Sequence, residues 1–218
     1  MDAPLPGLLA DLGRMGTATV HEAAGRGPVA DPAIRPLWPG ATLAAPAFTA
    51  RCDPGDNLAI HRALASASPG DVLVVQAGGH IAGYFGELMT AVARARGIAG
   101  LVIDGGVRDA AAIRAAGFPV WCRGVSVLGC EKRGPGQIGS TVACGGVLVH
   151  PGDLVIADDD GVVVLAAGAA AAVRGAGVER LARESAYLTR LERGETTMQV
   201  LGLSDGATGS PEDAGGAG

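Results

Sequence analysis

Short runs of aliphatic, largely β-branched residues recur along this chain, each entered or left through a glycine-bearing turn, and this punctuation constrains the fold most. Three Pro-Gly-Asp turns stand at 54–56, 69–71 and 151–153. The second and third launch Val72-Leu73-Val74-Val75 and Leu154-Val155-Ile156-Ala157. Runs this short do not make buried helices, and their β-branched side chains favour the extended chain. Asp158-Asp159-Asp160-Gly161 then turns into a further run over 162–165, so these last two runs predict a β-hairpin near the end of a sheet.

The middle of the chain alternates strand and helix. The strand at 72–75 leads through a Gly-rich loop, 78–86, into a helix expected over 87–96 and stopped by Gly97. Leu101-Val102-Ile103 follows as a buried strand, Asp104-Gly105-Gly106 as a turn, and 109–116 as a helix ended by Gly117 and Pro119. Val120-Trp121-Cys122 starts another strand. Strand-helix-strand at this spacing implies an α/β fold with a largely parallel sheet and helices packed on it. Upstream, 41–51 reads as a strand and 56–66 as a helix capped by Asp56 or Asn57. A helical stretch from Ala166 to about Arg193 is expected to break at Gly175 and Gly177. The expected organisation is one domain over 1–203 and a disordered tail, 204–218, of Gly, Ser, Asp and Ala. No solenoid-type repeat is visible.

Composition narrows the function classes. With 48% hydrophobic and 18% charged residues, the body of the chain can bury a core. No apolar stretch approaches the ~20 residues of a membrane span, and Asp2, Pro4 and Pro6 stand where a secretory leader would be basic and then apolar. A net charge of -5 and the lack of a Lys/Arg stripe argue against a nucleic-acid partner. Cys52, Cys122, Cys130 and Cys144 contain no Cys-x-x-Cys pair and read as reduced thiols of a cytoplasmic protein, Cys122 and Cys144 in the core. Of the 17 basic residues, Lys132 is the single lysine.

The chemistry concentrates in Gly86-Glu87-Leu88-Met89 and Asp104-Gly105-Gly106-Val107-Arg108-Asp109. Both lie where a strand ends and a helix begins, the usual ligand crevice of an open α/β sheet, where helix N-termini offer free N–H groups to an anion. Glu87, Arg108 and Asp109 around one pocket would suit a hydrated divalent metal and a small carboxylate. The alternative is purely structural: Asp109 caps its own helix, Glu87 favours a first turn, and Arg108 pairs with either at the surface.

An ordered set of motifs resolves part of that choice. Val20-His21-Glu22-Ala23, Pro54-Gly55-Asp56-Asn57 with His61, 69–75, Phe85-Gly86-Glu87-Leu88, 100–109, Gly117-Phe118-Pro119-Val120-Trp121 and 149–164 together resemble the RraA-like superfamily. Within it they resemble the class II pyruvate aldolases that cleave 4-hydroxy-4-methyl-2-oxoglutarate and 4-carboxy-4-hydroxy-2-oxoadipate. The resemblance implies a β/β/α swivelling-type layered domain, a homotrimer or homohexamer, and a small oxo-acid substrate. It implies Mg²⁺ or Mn²⁺ on Asp109, with Glu87 reaching the metal through water. Arg108 would hold the pyruvyl oxygens, and Gly86, Glu87 and the backbone N–H groups of Leu88 and Met89 would line the substrate carboxylate. Glu22, preceded by His21, resembles a glutamate contributed by a neighbouring subunit, and Glu184 one on the family's C-terminal helix. The expected activity is retro-aldol cleavage releasing pyruvate, with oxaloacetate decarboxylation through the same enolate. Two rivals stand beside it: a non-enzymatic regulator of an RNA-processing enzyme, and a biosynthetic lyase with another acceptor. The sequence departs from the aldolase pattern at Glu87, where aspartate is usual, and at Ala112, where an acid is common. Residues 80–84 fall where substrate selection is expected.

Other residues read more plainly. Lys132, between Glu131 and Arg133, sits in too polar a setting for Schiff-base chemistry. His61 is read first as structural, although with Asn57 one turn earlier it can orient substrate. His150 reads as a turn residue, and Asp158, Asp159 and Asp160 as turn chemistry rather than a calcium loop. The glycines of 134–139 lack the Lys-Ser or Lys-Thr ending of a phosphate loop.

Overall fold

The computed structural model describes residues 6–204; the tail expected over 204–218 lies, beyond Ser204, outside the described residues. The backbone forms two compact units, Met1–Gly177 and Val178–Gly218. Among the described residues no helix is long and apolar enough to cross a membrane.

The first unit opens with α1 (Pro6–Ala23), β1 (Arg35–Pro36) and β2 (Leu43–Arg51), then α2 (Leu58–Ser66), β3 (Val72–Gln76), α3 (Glu87–Ala95) and β4 (Gly100–Asp104). It continues through β5 (Gly106–Val107), α4 (Ala110–Ala115), β6 (Val120–Cys122), β7 (Gly124–Val125) and β8 (Gln137–Ile138). The hairpins β9 (Val142–Cys144) with β10 (Val147–Val149), and β11 (Leu154–Ala157) with β12 (Val162–Leu165), complete the strands. The main sheet runs β1-β6-β4-β3-β2-β11-β12, with β8 also on β2. Its centre, β6-β4-β3-β2, is parallel, and the edges are antiparallel.

Alternation along the strands sets the layers, because successive side chains point to opposite faces. Leu73 and Val75 of β3 and Leu101 and Ile103 of β4 face α2, α3 and α4, packing with Ile60, Leu64, Ala93 and Ile113. Val72, Val74 and Val102 face the other way, onto Val142, Cys144, Val147 and Val149 of the β9-β10 hairpin. Hairpin, central sheet and helices give the expected β/β/α layering. On β11 and β12, Leu154, Ile156 and Val163 pack on Leu12 and Val20 of α1.

The sequence had not marked α1 as a helix. Gly16, at φ 79° and ψ 160°, interrupts it as two helical pieces in the left-handed half of backbone space, which glycine enters without a Cβ penalty. Directly after the kink, the Thr17 N–H and hydroxyl donate to the two Asp158 carboxylate oxygens at 2.7 and 2.6 Å. Asp158 also takes the Asp160 N–H, and Asp159 takes the Gly40 N–H at 2.8 Å. The acidic run is therefore turn and cap chemistry. His150 likewise sits beside a turn, its N–H donating to Asp153.

A 3-10 turn (Ala167–Ala169) leads into α5 (Ala170–Glu192), which is continuous. The breaks expected at Gly175 and Gly177 do not occur. At Gly177 a Cβ would stand 2.6 Å from the Met15 sulfur, so this glycine serves close packing against α1. In the second unit, Arg180 pairs with Glu184 at 2.8 Å, and α6 (Thr197–Leu201) starts with a Thr196–Gln199 capping box.

Candidate active site

The carboxyl ends of β3 and β4 are followed by the loop 77–86 and by the short segment carrying Arg108 and Asp109. These two pieces are laced together: the Gly106 N–H donates to the His80 carbonyl at 3.2 Å, the Tyr84 N–H to the Gly106 carbonyl at 3.2 Å, and the Arg108 N–H to the Phe85 carbonyl at 2.8 Å. The lacing sets Arg108 and Asp109 directly against the start of α3.

Asp109 does not cap its own helix. Its backbone is left-handed, φ 55° and ψ 38°, and it makes no side-chain cap bond to α4. Aspartate tolerates this region better than most residues, and such conformations concentrate at functional sites. The turn instead sends Oδ2 to the Glu87 N–H, 3.0 Å away, so Asp109 completes the N-terminus of α3. Arg108 Nε lies 3.6 Å from the same oxygen. The approach is possible because Gly86 has no side chain: a Cβ there would meet Asp109 Oδ2 at 2.5 Å and Arg108 Cγ at 3.0 Å. Gly83 makes equal room, since a Cβ would meet Arg108 Cδ at 2.8 Å.

Arg108, Glu87, Leu88 and Met89 line one cleft of about 160 Å³, together with Gly86, Gly83, Tyr84, Asn57, His61 and Lys132. The N–H groups of Leu88 and Met89 belong to the first turn of α3, whose amides have no carbonyl one turn earlier. The site thus combines a guanidinium, two carboxylates on neighbouring helix starts, and a helix N-terminus. A larger groove, about 840 Å³, is lined by residues such as Leu9, Thr42, Pro46 and Pro69 with Arg14 as its single charged side chain, and so offers no acid or base.

Two supports of this cleft escape a reading by motif. Tyr84 is fully buried; its hydroxyl accepts the Gly55 N–H at 2.7 Å and lies 3.0 Å from His80 Nδ1, with the two rings edge to face. Burial pushes its phenol above the ordinary range. Of 80–84, then, Gly83 and Tyr84 face the cleft and His80 braces Tyr84. Beneath the loop, Arg123 of the β6–β7 turn bonds Asp104 at the end of β4 and Asp31 at 3.0 Å, and Asp104 takes the Gly145 N–H at 3.2 Å. His61, read first as structural, lines the cleft, as does Lys132. Desolvation, then the charge of Lys132, hold His61 below its ordinary value.

Glu22 and His21 do not join the cleft within the chain. His21 Nδ1 lies 2.9 Å from the Gly27 carbonyl oxygen, and Glu22 faces Arg26 at 3.8 Å, both at the end of α1. Among the described residues no cluster of three or more His, Cys, Asp or Glu forms a ligand set. Asp109 and Glu87 nevertheless carry carboxylate oxygens side by side, Oδ2 of Asp109 accepting the Glu87 N–H, and hard oxygen donors are what hydrated Mg²⁺ or Mn²⁺ takes.

Comparison with known proteins places the chain by sequence and by fold. A protein of Halalkalibacterium halodurans named “Putative 4-hydroxy-4-methyl-2-oxoglutarate aldolase” is 42% identical over 136 residues, 62% of this chain and 65% of that protein, so the match spans just under two thirds of the relative's length. An uncharacterised protein from Pseudomonas syringae pv. tomato superposes with a TM-score of 0.84 at 26% identity, covering 93% of this chain and 96% of that one. Streptomyces coelicolor RraAS2, described as an unusual member of the RNase ES inhibitor RraA family, superposes at 0.74 with 31% identity, covering 85% and 97%. The family profile described as Aldolase/RraA matches residues 17–164, a segment that holds the main sheet up to the last residue of β12 and the whole cleft, and the chain belongs to the RraA-like family.

Proposed function

We propose that this chain is a divalent-metal-dependent aldolase. It cleaves a 4-hydroxy-2-oxo di- or tricarboxylate to release pyruvate, decarboxylates oxaloacetate at the same site, and works in the cytoplasm as a homotrimer or homohexamer. One observation carries the reading: Asp109, held left-handed, and Arg108 meet the N-terminus of α3 in a cleft that Glu87 lines. The name of the Halalkalibacterium relative supports the same chemistry.

Arg108 and the first-turn amides of α3 would bind the carboxylate and keto oxygens of the pyruvyl half, the guanidinium by paired hydrogen bonds and the helix by its positive end. Glu87, through a water, would take the proton from the C4 hydroxyl. The C3–C4 bond then breaks, its electron pair passes into the pyruvyl half as an enolate, and protonation at C3 yields pyruvate. Arg108 stabilises the negative charge that develops there. A cation held by Asp109, and by Glu87 through water, would supply Lewis-acid polarisation of the keto oxygen when bound. His21 and Glu22 of a second copy would complete the proton-transfer machinery. Large apolar side chains left open in the first unit, Leu88 at 81% and Val127 at 95% exposure, are surfaces such an assembly would cover.

The second reading is a regulator of RNA processing, favoured by the names of neighbours such as RraAS2 and the RNA-processing inhibitor RraA from Thermus thermophilis, the latter at TM-score 0.63 and 26% identity over 68% of this chain and 91% of that one. Retention of both Asp109 and Glu87 favours catalysis. The deciding measurement is pyruvate release from oxaloacetate and from 4-hydroxy-4-methyl-2-oxoglutarate by protein stripped with EDTA and then given Mg²⁺ or Mn²⁺, against metal alone. Turnover above the blank supports the aldolase; its absence with both substrates and both metals rejects it.

A further inference from the structure

We propose that Lys132 is the specificity residue for the second acidic group of the substrate, the carboxylate remote from the pyruvyl end, with Asn57 receiving the C4 hydroxyl between them. The inference rests on the oxo-acid reading of the cleft and deepens it.

The loop carrying Lys132 is fastened on both sides of that residue. Before it, the Glu131 N–H donates to the Gly55 carbonyl at 2.8 Å and the Asn57 N–H to the Glu131 carbonyl at 3.0 Å. After it, the Arg133 and Gly134 N–H groups both donate to Asp56 Oδ2, at 2.5 and 2.9 Å. Four hydrogen bonds thus lock this loop to the segment that presents Asn57, and Lys132 between them lines the cleft. The nearest acid on its own loop, Glu131, is turned to Arg133 at 3.4 Å, and among the described residues no carboxylate pairs with Lys132. Against the desolvation of Asp56, the charge of Lys132 helps to hold that nearby carboxyl low, but the Asp56 oxygens are taken by the Leu58, Arg133 and Gly134 N–H groups. The ammonium at the pocket wall, without an ion pair, can therefore meet an anion that arrives from outside.

Asn57 supplies the second observation. It is 6% exposed, and its Nδ2 donates to the Tyr84 carbonyl at 2.8 Å, which fixes the amide plane. Its Oδ1 is buried and accepts no hydrogen bond. Buried acceptors are rarely left unmatched, and this one belongs to a residue that lines the cleft, so a ligand donor that reaches it would satisfy it. Carboxylates offer none at neutral pH, whereas a C4 hydroxyl does. Arg108 with the start of α3, Asn57 and Lys132 therefore offer an anion site, an acceptor and a second anion site, the pattern of a 4-hydroxy-2-oxo dicarboxylate.

Calorimetric titration of the full chain in Mg²⁺, with pyruvate and with 2-oxoglutarate, separates the two ends, because the ligands share the 2-oxo acid and differ by the distal carboxylate arm. The wild type should bind 2-oxoglutarate more tightly than pyruvate. Lys132→Gln should weaken 2-oxoglutarate at least tenfold and leave pyruvate within twofold, and Lys132→Arg should restore most of the loss. If both ligands weaken alike, or neither changes, the role of Lys132 is overturned while the oxo-acid site stands. If the wild type binds neither ligand, the oxo-acid reading and this inference fall together.

Discussion

At the scale of single residues, the cleft depends on one carboxylate with two duties. Asp109 Oδ2 closes the start of α3 through the Glu87 N–H and lies beside Arg108. Asn can keep the left-handed backbone and accept the same hydrogen bond, but it carries no charge. Asp109→Asn should therefore melt as the wild type does, within about 1 kcal/mol, the scale of a conserved cap, and lose at least about 100-fold in pyruvate release, the cost of removing a charge-stabilising group. Gly86→Ala tests the same geometry by crowding it: the new methyl at 2.5 Å from Asp109 Oδ2 should lower kcat/KM at least about tenfold. Gly129→Ala, with open space around it, should leave kcat/KM unchanged. The acid–guanidinium pair was legible in the sequence because an Arg-Asp step after a strand is a compact signal. The direction of the Asp109 side chain was not, since a left-handed aspartate is dictated by the loop packed over it and not by its neighbours in the chain. His61 and Lys132 were underrated for a related reason: each is polar and exposed, and only the hydrogen bonds that tie 55–57 to 131–134 bring them into one wall.

Among the elements, strands were read more faithfully than helices. Aliphatic runs such as 72–75 and 154–157 became β3 and β11 almost as written, because a fully buried strand needs little beyond apolar β-branched residues. Helices rich in glycine misled in both directions. In α1, Gly7, Gly13 and Gly16 hide an amphipathic stretch whose Leu12 and Val20 are fully buried against β11 and β12. In α5, Gly175 and Gly177 were expected to break a helix that continues through both. The two differ physically, since a Cβ at Gly175 meets nothing within 4 Å while one at Gly177 meets Met15. Gly175→Ala should stabilise the protein by about 0.5–1 kcal/mol, the helix propensity difference, measured by urea titration. Gly177→Ala should gain less, because the propensity is offset by displacement of Met15.

For the whole molecule, the parallel centre of the sheet buries both faces and leaves the chemistry to one rim, where β3 and β4 end. This agrees with a general rule for open α/β sheets, and it explains why motif order located the cleft although no single motif did. The same burial governs the thiols. Desolvation pushes Cys52 and Cys144 up to about 12 and Cys122 up to about 11, and raises Cys130 too, although that thiol is only partly buried. Native protein treated with a chromogenic disulfide at pH 8 should release one equivalent promptly, from Cys130, and the remaining three only after denaturation. Four prompt equivalents would show that the layers open. The junction of Asp109 with α3 carries a further consequence. Because one carboxylate oxygen closes the Glu87 amide, any occupant that draws on that oxygen loosens the first turn of the helix. The deuterium uptake of that single amide is thus a built-in gauge of whether the cleft is filled, readable without a turnover assay and without a label.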